Sequence, residues 1–170
     1  VLNAEPAGGK DPPGRVHEIL AGHLREFPSA ITNLVEATPE RDISRTDICD
    51  RDPEETWVKG RVALLGDAAH MTTPFIGQGA GISMEDSVVL AKELALTDGL
   101  RDQRMLGHAL HAYERARIKR CAKVVLDSRR RGQMYQWTNP VVTAARNRVL
   151  RSLPHPVTRA MLEQSIKYEI

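Results

Sequence analysis

Residues Gly60 to Ala95 read GRVALLGDAAHMTTPFIGQGAGISMEDSVVLAKELA. An apolar run, Val62 to Leu65, stops at Gly66-Asp67; a loop with Pro74 and Gly77-Gln78-Gly79 follows, and a long apolar-periodic segment then carries Glu85 and Asp86 in its first turns. That order predicts strand, loop, helix, with a carboxylate at the carboxyl end of the strand, where open α/β folds hold their ligands. Gly66 supplies a sharp turn, and Asp67 offers acceptors for ligand hydroxyls. Gly77, Gly79 and Gly81 remove side chains just before the helix. A planar or anionic group can therefore approach backbone N–H donors and the positive end of the helix dipole.

Outward from this stretch, Arg15 to Phe27 places Val16, Ile19, Leu20, Leu24 and Phe27 on one helical face, and Pro28 limits its continuation. Ser29 to Ala37 reads as a second short helix. Asp42 to Cys49 (DISRTDIC) has the Ser, Thr and Ile content of a short half-exposed strand, and Asp50 to Glu55 is a turn. Val1 to Glu5 reads as a strand without preamble, followed by the Gly- and Pro-rich loop Pro6 to Gly14. The chain is therefore expected to be the carboxyl-terminal part of a longer protein.

Downstream, Leu100 to Arg104 reads as a polar connector and Met105 to Tyr135 as one long helix. Leu106, Leu110, Tyr113, Ala116, Cys121, Val124, Val125 and Ser128 trace its apolar stripe. Opposite lies a basic face of Arg115, Arg117, Lys119, Arg120, Lys123 and Arg129 to Arg131. It lacks aromatic interleaving, so it reads as a solvated face whose arginines pair with carboxylates rather than as a nucleic-acid surface. Asn139-Pro140 and His155-Pro156 mark two further helix starts, the second for Val157 to Tyr168.

Over 170 residues the charges nearly cancel, to +2 at pH 7, so no nucleic-acid partner is implied globally. No apolar run approaches a membrane span and no signal-peptide order opens the chain. Cys49 and Cys121 lack ligand-like spacing and read as reduced thiols of a cytoplasmic protein. His70 reads as a packing or hydrogen-bonding residue, and Glu85 and Asp86 as helix-dipole partners. His108 and His111 share a face but lack a third metal ligand.

Two phosphate-binding patterns fail on the central loop. No Gly-Lys-Ser or Gly-Lys-Thr is present, and the third small residue of a dinucleotide fingerprint would fall on Ile82. The run GDAAHMTTPFIGQGAGISMEDSVVLAKEL instead resembles the second FAD motif of the class A flavoprotein monooxygenases, the para-hydroxybenzoate hydroxylase-like family. DISRTDICDRDPEETWVKG resembles the end of that family's substrate-domain sheet, and HAYERARIKRCAKVVLDSRRR its long carboxyl-terminal helix. Only the short helical tail lies outside the likeness.

The resemblance implies an α/β, helix-rich chain that forms the carboxyl-terminal part of a Rossmann-like FAD-binding fold. Residues 1–56 would end a substrate-binding domain, 57–135 would complete the FAD-binding domain with its long helix, and 136–170 would be a helical tail. Asp67 would bind the ribityl hydroxyls of FAD, with Gly66 in the same cofactor-binding turn, while Pro74 and Gly77, Gln78, Gly79, Ala80 and Gly81 would line the isoalloxazine. The helix dipole would then favour negative charge near flavin N1 by about 0.3 to 1 kcal/mol, up to about 2 when partly buried. NADPH or NADH would reduce the flavin, and an aromatic or polyketide-like small molecule would be hydroxylated through a C4a-hydroperoxide. No acid or base of this chain is required for that step, and no metal is implied. The first FAD motif, GxGxxG, is absent from these residues, so the chain alone is expected to be inactive, with the missing amino-terminal part as its partner. Two alternatives stay open: a non-catalytic packing or dimerisation module with self-association through the basic helix, and a flavoprotein of the same fold doing epoxidation or halogenation.

Overall fold

The computed structural model describes residues 8–97 and 102–166. The expected strand Val1 to Glu5 and part of the connector at Leu100 lie outside them. The chain divides into two compact units, Val1–Ile48 and Cys49–Ile170.

In the first unit, α1 (Val16–His23) packs on α2 (Ser29–Ala37). α1 is shorter than the apolar spacing predicts: after His23 the chain tightens, with Leu24 N–H on the Leu20 carbonyl and Phe27 N–H on that of Leu24. Leu24 is buried here, and Glu40 accepts from the N–H groups of Gly14 and Val16 at the start of α1. The strand expected over Asp42 to Cys49 does not form. Glu40–Asp42 is a single 3-10 turn and the rest is irregular. Its polar side chains serve the opening loop instead: Arg45 bonds Asp11 at 2.8 Å and the Asp47 carboxylate takes the Gly8 N–H.

In the second unit, β1 (Val58–Lys59) and β2 (Val62–Ala63) form an antiparallel hairpin around Gly60, whose φ of 63° needs glycine. The strand expected over Val62 to Leu65 is thus cut to two residues, and Val62 is exposed. Among the described residues β2 has no strand on its other edge, so nothing extends the ladder. A short α3 (Asp67–His70), a 3-10 turn (Pro74–Ile76), α4 (Gly79–Leu96) and α5 (Gln103–Tyr135) follow. The 33 residues of α5 span about 50 Å at 1.5 Å per residue. Asp102 caps it by accepting from Arg104 N–H.

The core lies between α4, α5 and the hairpin: Trp57, Ala69, Ile82, Val89, Tyr113, Cys121 and Val124, with Leu64, Ile76, Leu90 and Ile118 around them. Trp57 sits against both Tyr113 and His70, ring centroids 5.9 and 5.7 Å away. The stripe expected on α5 is buried from Leu110 to Ser128 with one exchange. Ala116 is exposed and Arg117, assigned to the solvated face, is fully buried beside it. Among the described residues no helix is long and apolar enough to cross a membrane.

The tail holds α6 (Pro140–Ser152) and α7 (His155–Ile166). Asn139 caps α6 as its sequence predicts, accepting from Val141 and Val142 N–H, and Arg146 reaches back to the carbonyls of Met134 and Tyr135 at the end of α5. Asn139→Ala is expected to cost about 1 kcal/mol of α6 stability. Hydrogen exchange should show faster exchange of the α6 amides while those of α5 keep their protection.

Candidate functional site

The Gly66-Asp67 turn is built by backbone geometry that only glycine adopts readily. Gly66 has φ 60° and ψ −140°, and its carbonyl accepts from both Ala69 and His70 N–H, at 2.8 and 2.9 Å. A Cβ there would meet Ser83 Oγ at 3.1 Å. Gly66 is buried, while Asp67, the first residue of α3, is exposed. The turn therefore presents one carboxylate outward from a fixed backbone.

Residues 74–81 complete the surface. Pro74 opens the 3-10 turn, and Gly77 closes it in the left-handed region at φ 65°. Gln78 precedes the first helical residue of α4, so the N–H groups of Gly79, Ala80 and Gly81 belong to the first turn, where intrahelical acceptors are lacking. Pro74, Gly77 and Ala80 are exposed; Gln78, Gly79 and Gly81 are half-buried. The eight residues singled out in the sequence thus lie on two adjoining turns and the amino end of an 18-residue helix.

What holds this surface was not legible in the sequence. Asp86, fully buried on α4, accepts Gly66 N–H at 3.2 Å, His70 Nε2 at 2.5 Å and Arg117 Nε at 2.7 Å. A carboxylate paired with a guanidinium only accepts, so His70 carries its proton on Nε2. Arg117 also donates to the Ile82 carbonyl and to Glu85, which Arg120 approaches at 3.2 Å. Two carboxylates and two guanidiniums therefore meet between α4 and α5, Asp86 and Arg117 fully buried and Glu85 and Arg120 at the edge. Glu85 and Asp86 are not the helix-dipole partners expected: both lie beyond the first turn of α4 and their charge is met by α5. His70 holds the expected hydrogen-bonding role.

Burial is the largest influence on Asp86 and pushes its carboxyl up, but the bonds from His70, Arg117 and Gly66 outweigh it and hold it below its usual range. Cys121 lies 3.6 Å from Asp86, and burial beside that charge pushes its thiol up to about 12. His70, Asp86 and Cys121 offer ligand atoms within 4.8 Å of one another. A protonated thiol and a carboxylate already engaged by Arg117 suit an ion pair better than a metal ion.

The hairpin and the loop are fixed to α5 as well. Glu114 accepts from Trp57 and Val58 N–H at 2.6 and 2.9 Å, and Tyr113 donates to the Leu64 carbonyl. Burial raises the Glu114 carboxyl, but His111 and these two backbone donors outweigh it and lower it. Arg129 bonds Asp50 and Asp52 at 2.6 and 2.7 Å, while Arg51 donates to the Ala68 carbonyl inside the GDAA turn. Most of the arginines placed on a solvated face are thus tied to specific acids.

Residues 29–128 match the FAD binding domain family. The chain belongs to the class A FAD-dependent monooxygenases. It is 41% identical over 140 residues to the FAD-dependent urate hydroxylase of Mycolicibacterium vanbaalenii, covering 82% of this chain and 34% of that protein. It is 37% identical over 163 residues to the aurachin C monooxygenase/isomerase of Stigmatella aurantiaca, covering 96% and 41%. The solved structure of Klebsiella pneumoniae HpxO complexed with FAD and uric acid superposes with a TM-score of 0.83 at 32% identity, over 95% of this chain and 40% of that one. The chain therefore spans about a third to two fifths of the length of these monooxygenases. Its helix-rich fold is that of the matching part of a flavoprotein monooxygenase.

Asp86→Asn leaves the buried Arg117 with Glu85 as its carboxylate partner and is expected to destabilise the second unit by about 3 kcal/mol, the low end for breaking a buried pair. Chemical denaturation followed by tryptophan fluorescence measures it, with Trp137→Phe as background so that Trp57 alone reports. Because Asp86 and Glu114 have folded values below their unfolded ones of ~3.9 and ~4.3, their contribution is complete above that range and fades as pH falls through the lower folded values. Wild type should therefore lose stability below about pH 4 more steeply than Asp86→Asn does.

Proposed function

We propose that this chain supplies the flavin-facing side of the FAD site in a monooxygenase that takes reducing equivalents from NADPH or NADH and hydroxylates a small aromatic molecule. The observation that carries this reading is the exposed Asp67 on a rigid glycine turn beside the side-chain-poor amino end of α4. These residues fit the cofactor. A carboxylate accepts from ribityl hydroxyls, and Gly79, Ala80 and Gly81 offer N–H donors and a dipole end to the electron-rich edge of an isoalloxazine. Gly77 adds open space, since a Cβ there would meet nothing within 4 Å.

When bound, FAD supplies the redox and oxygen chemistry. The residues of this chain orient it and favour the charge it acquires on reduction. Asp67 would fix the ribityl chain, Gly66 its approach, and Pro74 with Gly77 to Gly81 the ring. No side chain of this chain is assigned a proton transfer. The α/β, Rossmann-like frame belongs to the same proposal, with 1–56 closing a substrate-binding domain, 57–135 completing the FAD-binding domain and 136–170 as tail. The family match and the FAD- and uric-acid-bound relative support it.

The test uses the protein expressed at its native length. Asp67→Ala removes a charged acceptor worth about 1.5 to 3 kcal/mol and should weaken FAD binding by roughly one to two powers of ten. Fluorescence titration of the flavin reads the affinity, with circular dichroism checking that the fold is kept. Unchanged affinity in a folded variant would remove Asp67 from the site.

A further inference from the structure

The turn Thr73 to Gly77 rests on the last third of α5 through two contacts that neither the family match nor the sequence motif assigns. The first is a pair of hydrogen bonds. Ser128, fully buried, donates its hydroxyl to the Thr73 carbonyl at 2.7 Å, and since its single proton is spent there, the Thr73 hydroxyl donates to Ser128 Oγ at 2.7 Å. The second is a steric fit. Gly132 is buried within the last turn of α5, and a Cβ built on it would collide with the ring of Phe75. Phe75 also meets Tyr135 edge-on, centroids 6.4 Å apart.

Glycine is a poor helix residue, and nothing in the backbone asks for it here, since position 132 has no left-handed φ. Gly107, also on α5, makes the contrast: a Cβ there would meet nothing within 4 Å. Space for Phe75 is the physical reason for glycine at 132. Pro74 lies between the two anchored residues, Thr73 and Phe75, and Gly77 ends the same turn. Displacing either anchor moves Pro74 and Gly77.

Resting on the flavin reading above, we propose that Ser128 and Gly132 are positioning residues for the cofactor: the seat they form on α5 sets where the ring-facing turn 73–77 stands. Neither belongs to the surface formed by residues 66–67 and 74–81, so each acts through Thr73 or Phe75. A shift of that turn changes the contacts around the flavin ring, which alters the ring's electronic spectrum and its reduction potential. A residue important only for stability would lower the melting temperature and leave the spectrum of bound flavin as it was.

The experiment compares wild type at native length, loaded with FAD, with Gly132→Ala, Ser128→Ala and the double change Gly132→Ala with Phe75→Leu. The readouts are FAD affinity, the visible absorption of bound flavin, its midpoint potential and the melting temperature. Gly132→Ala should weaken FAD about tenfold and shift the flavin bands and potential, as expected for an overpacked contact. The added Phe75→Leu should restore both most of the way by vacating the space. Ser128→Ala should shift the bands in the same sense with a smaller loss of affinity, about threefold. A folded Gly132→Ala protein with wild-type affinity, spectrum and potential overturns the proposal, as does a double variant that restores nothing. Should Gly132→Ala fail to fold, Ser128→Ala decides: shifted bands support the seat, and an unshifted spectrum overturns it. A wild type that takes up no FAD sinks the proposed function and this inference together, whereas unaltered variants of a flavin-bearing wild type sink the inference alone.

Discussion

One buried carboxylate holds the candidate site in shape. Asp86 receives the Gly66 N–H, the His70 ring and the Arg117 guanidinium, so α4, the GDAAH turn and α5 meet at a single side chain with no exposure. An isolated buried charge would be costly, and so would an isolated buried guanidinium; together they tolerate desolvation because each satisfies hydrogen bonds of the other. The Gly66 backbone is in a conformation that other residues avoid, and its N–H is held by Asp86 while its carbonyl is held by Ala69 and His70. The strained turn persists because both of its polar groups are spoken for. Asp67 can then stand exposed without loosening the backbone that carries it.

The second organising element is α5. Along one face it meets the motif piece by piece. Tyr113 and Glu114 hold the hairpin, Arg117 and Cys121 border Asp86, Ser128 takes the turn after α3, and Gly132 receives Phe75. Arg129 ties the segment at Asp50 and Asp52 to the same helix, and Arg51 from that segment reaches into the GDAA turn. A long helix that reads as a scaffold in sequence thus acts as the common reference for every part of the flavin-type motif. This division of labour explains why the surface itself can be so poor in side chains: Gly77 is exposed, Gly79 and Gly81 are half-buried, and the anchoring is done from behind.

Much of the arrangement was legible because it is local. Glycines at turns, Asn139 before Pro140 and the apolar spacing of α4 and α5 each encode backbone conformation within a few residues, and the FAD-type run names its own context. What was hidden depends on distant partners. Asp86 looks like any acid near a helix start until Arg117, 31 residues later, is folded against it. Arg117 in turn resembles its solvated neighbours, since a buried guanidinium differs from an exposed one only in what surrounds it. The apolar run before Gly66 promised a longer strand, but strand length is set by pairing, and β2 pairs only with β1 among the described residues. Asp42 to Cys49 failed for a related reason: its side chains are engaged by Asp11 and Gly8, 34 and 39 positions away, and no ladder formed.

The helix α5 also constrains how this protein can change over time. Its contacts recur at 113, 117, 121, 124, 128 and 132, the spacing at which an α-helix returns to the same side. Removing or inserting one residue within that span would rotate everything beyond it by about 100° and slide it by about 1.5 Å. Half of the motif would lose its counterpart at a stroke. The outward positions, such as Arg115, Lys119 and Lys123, are exposed and carry no such obligation. The helix is therefore free in composition on one side and locked in length, so drift in this segment should proceed by substitution while indels gather in the connections at either end.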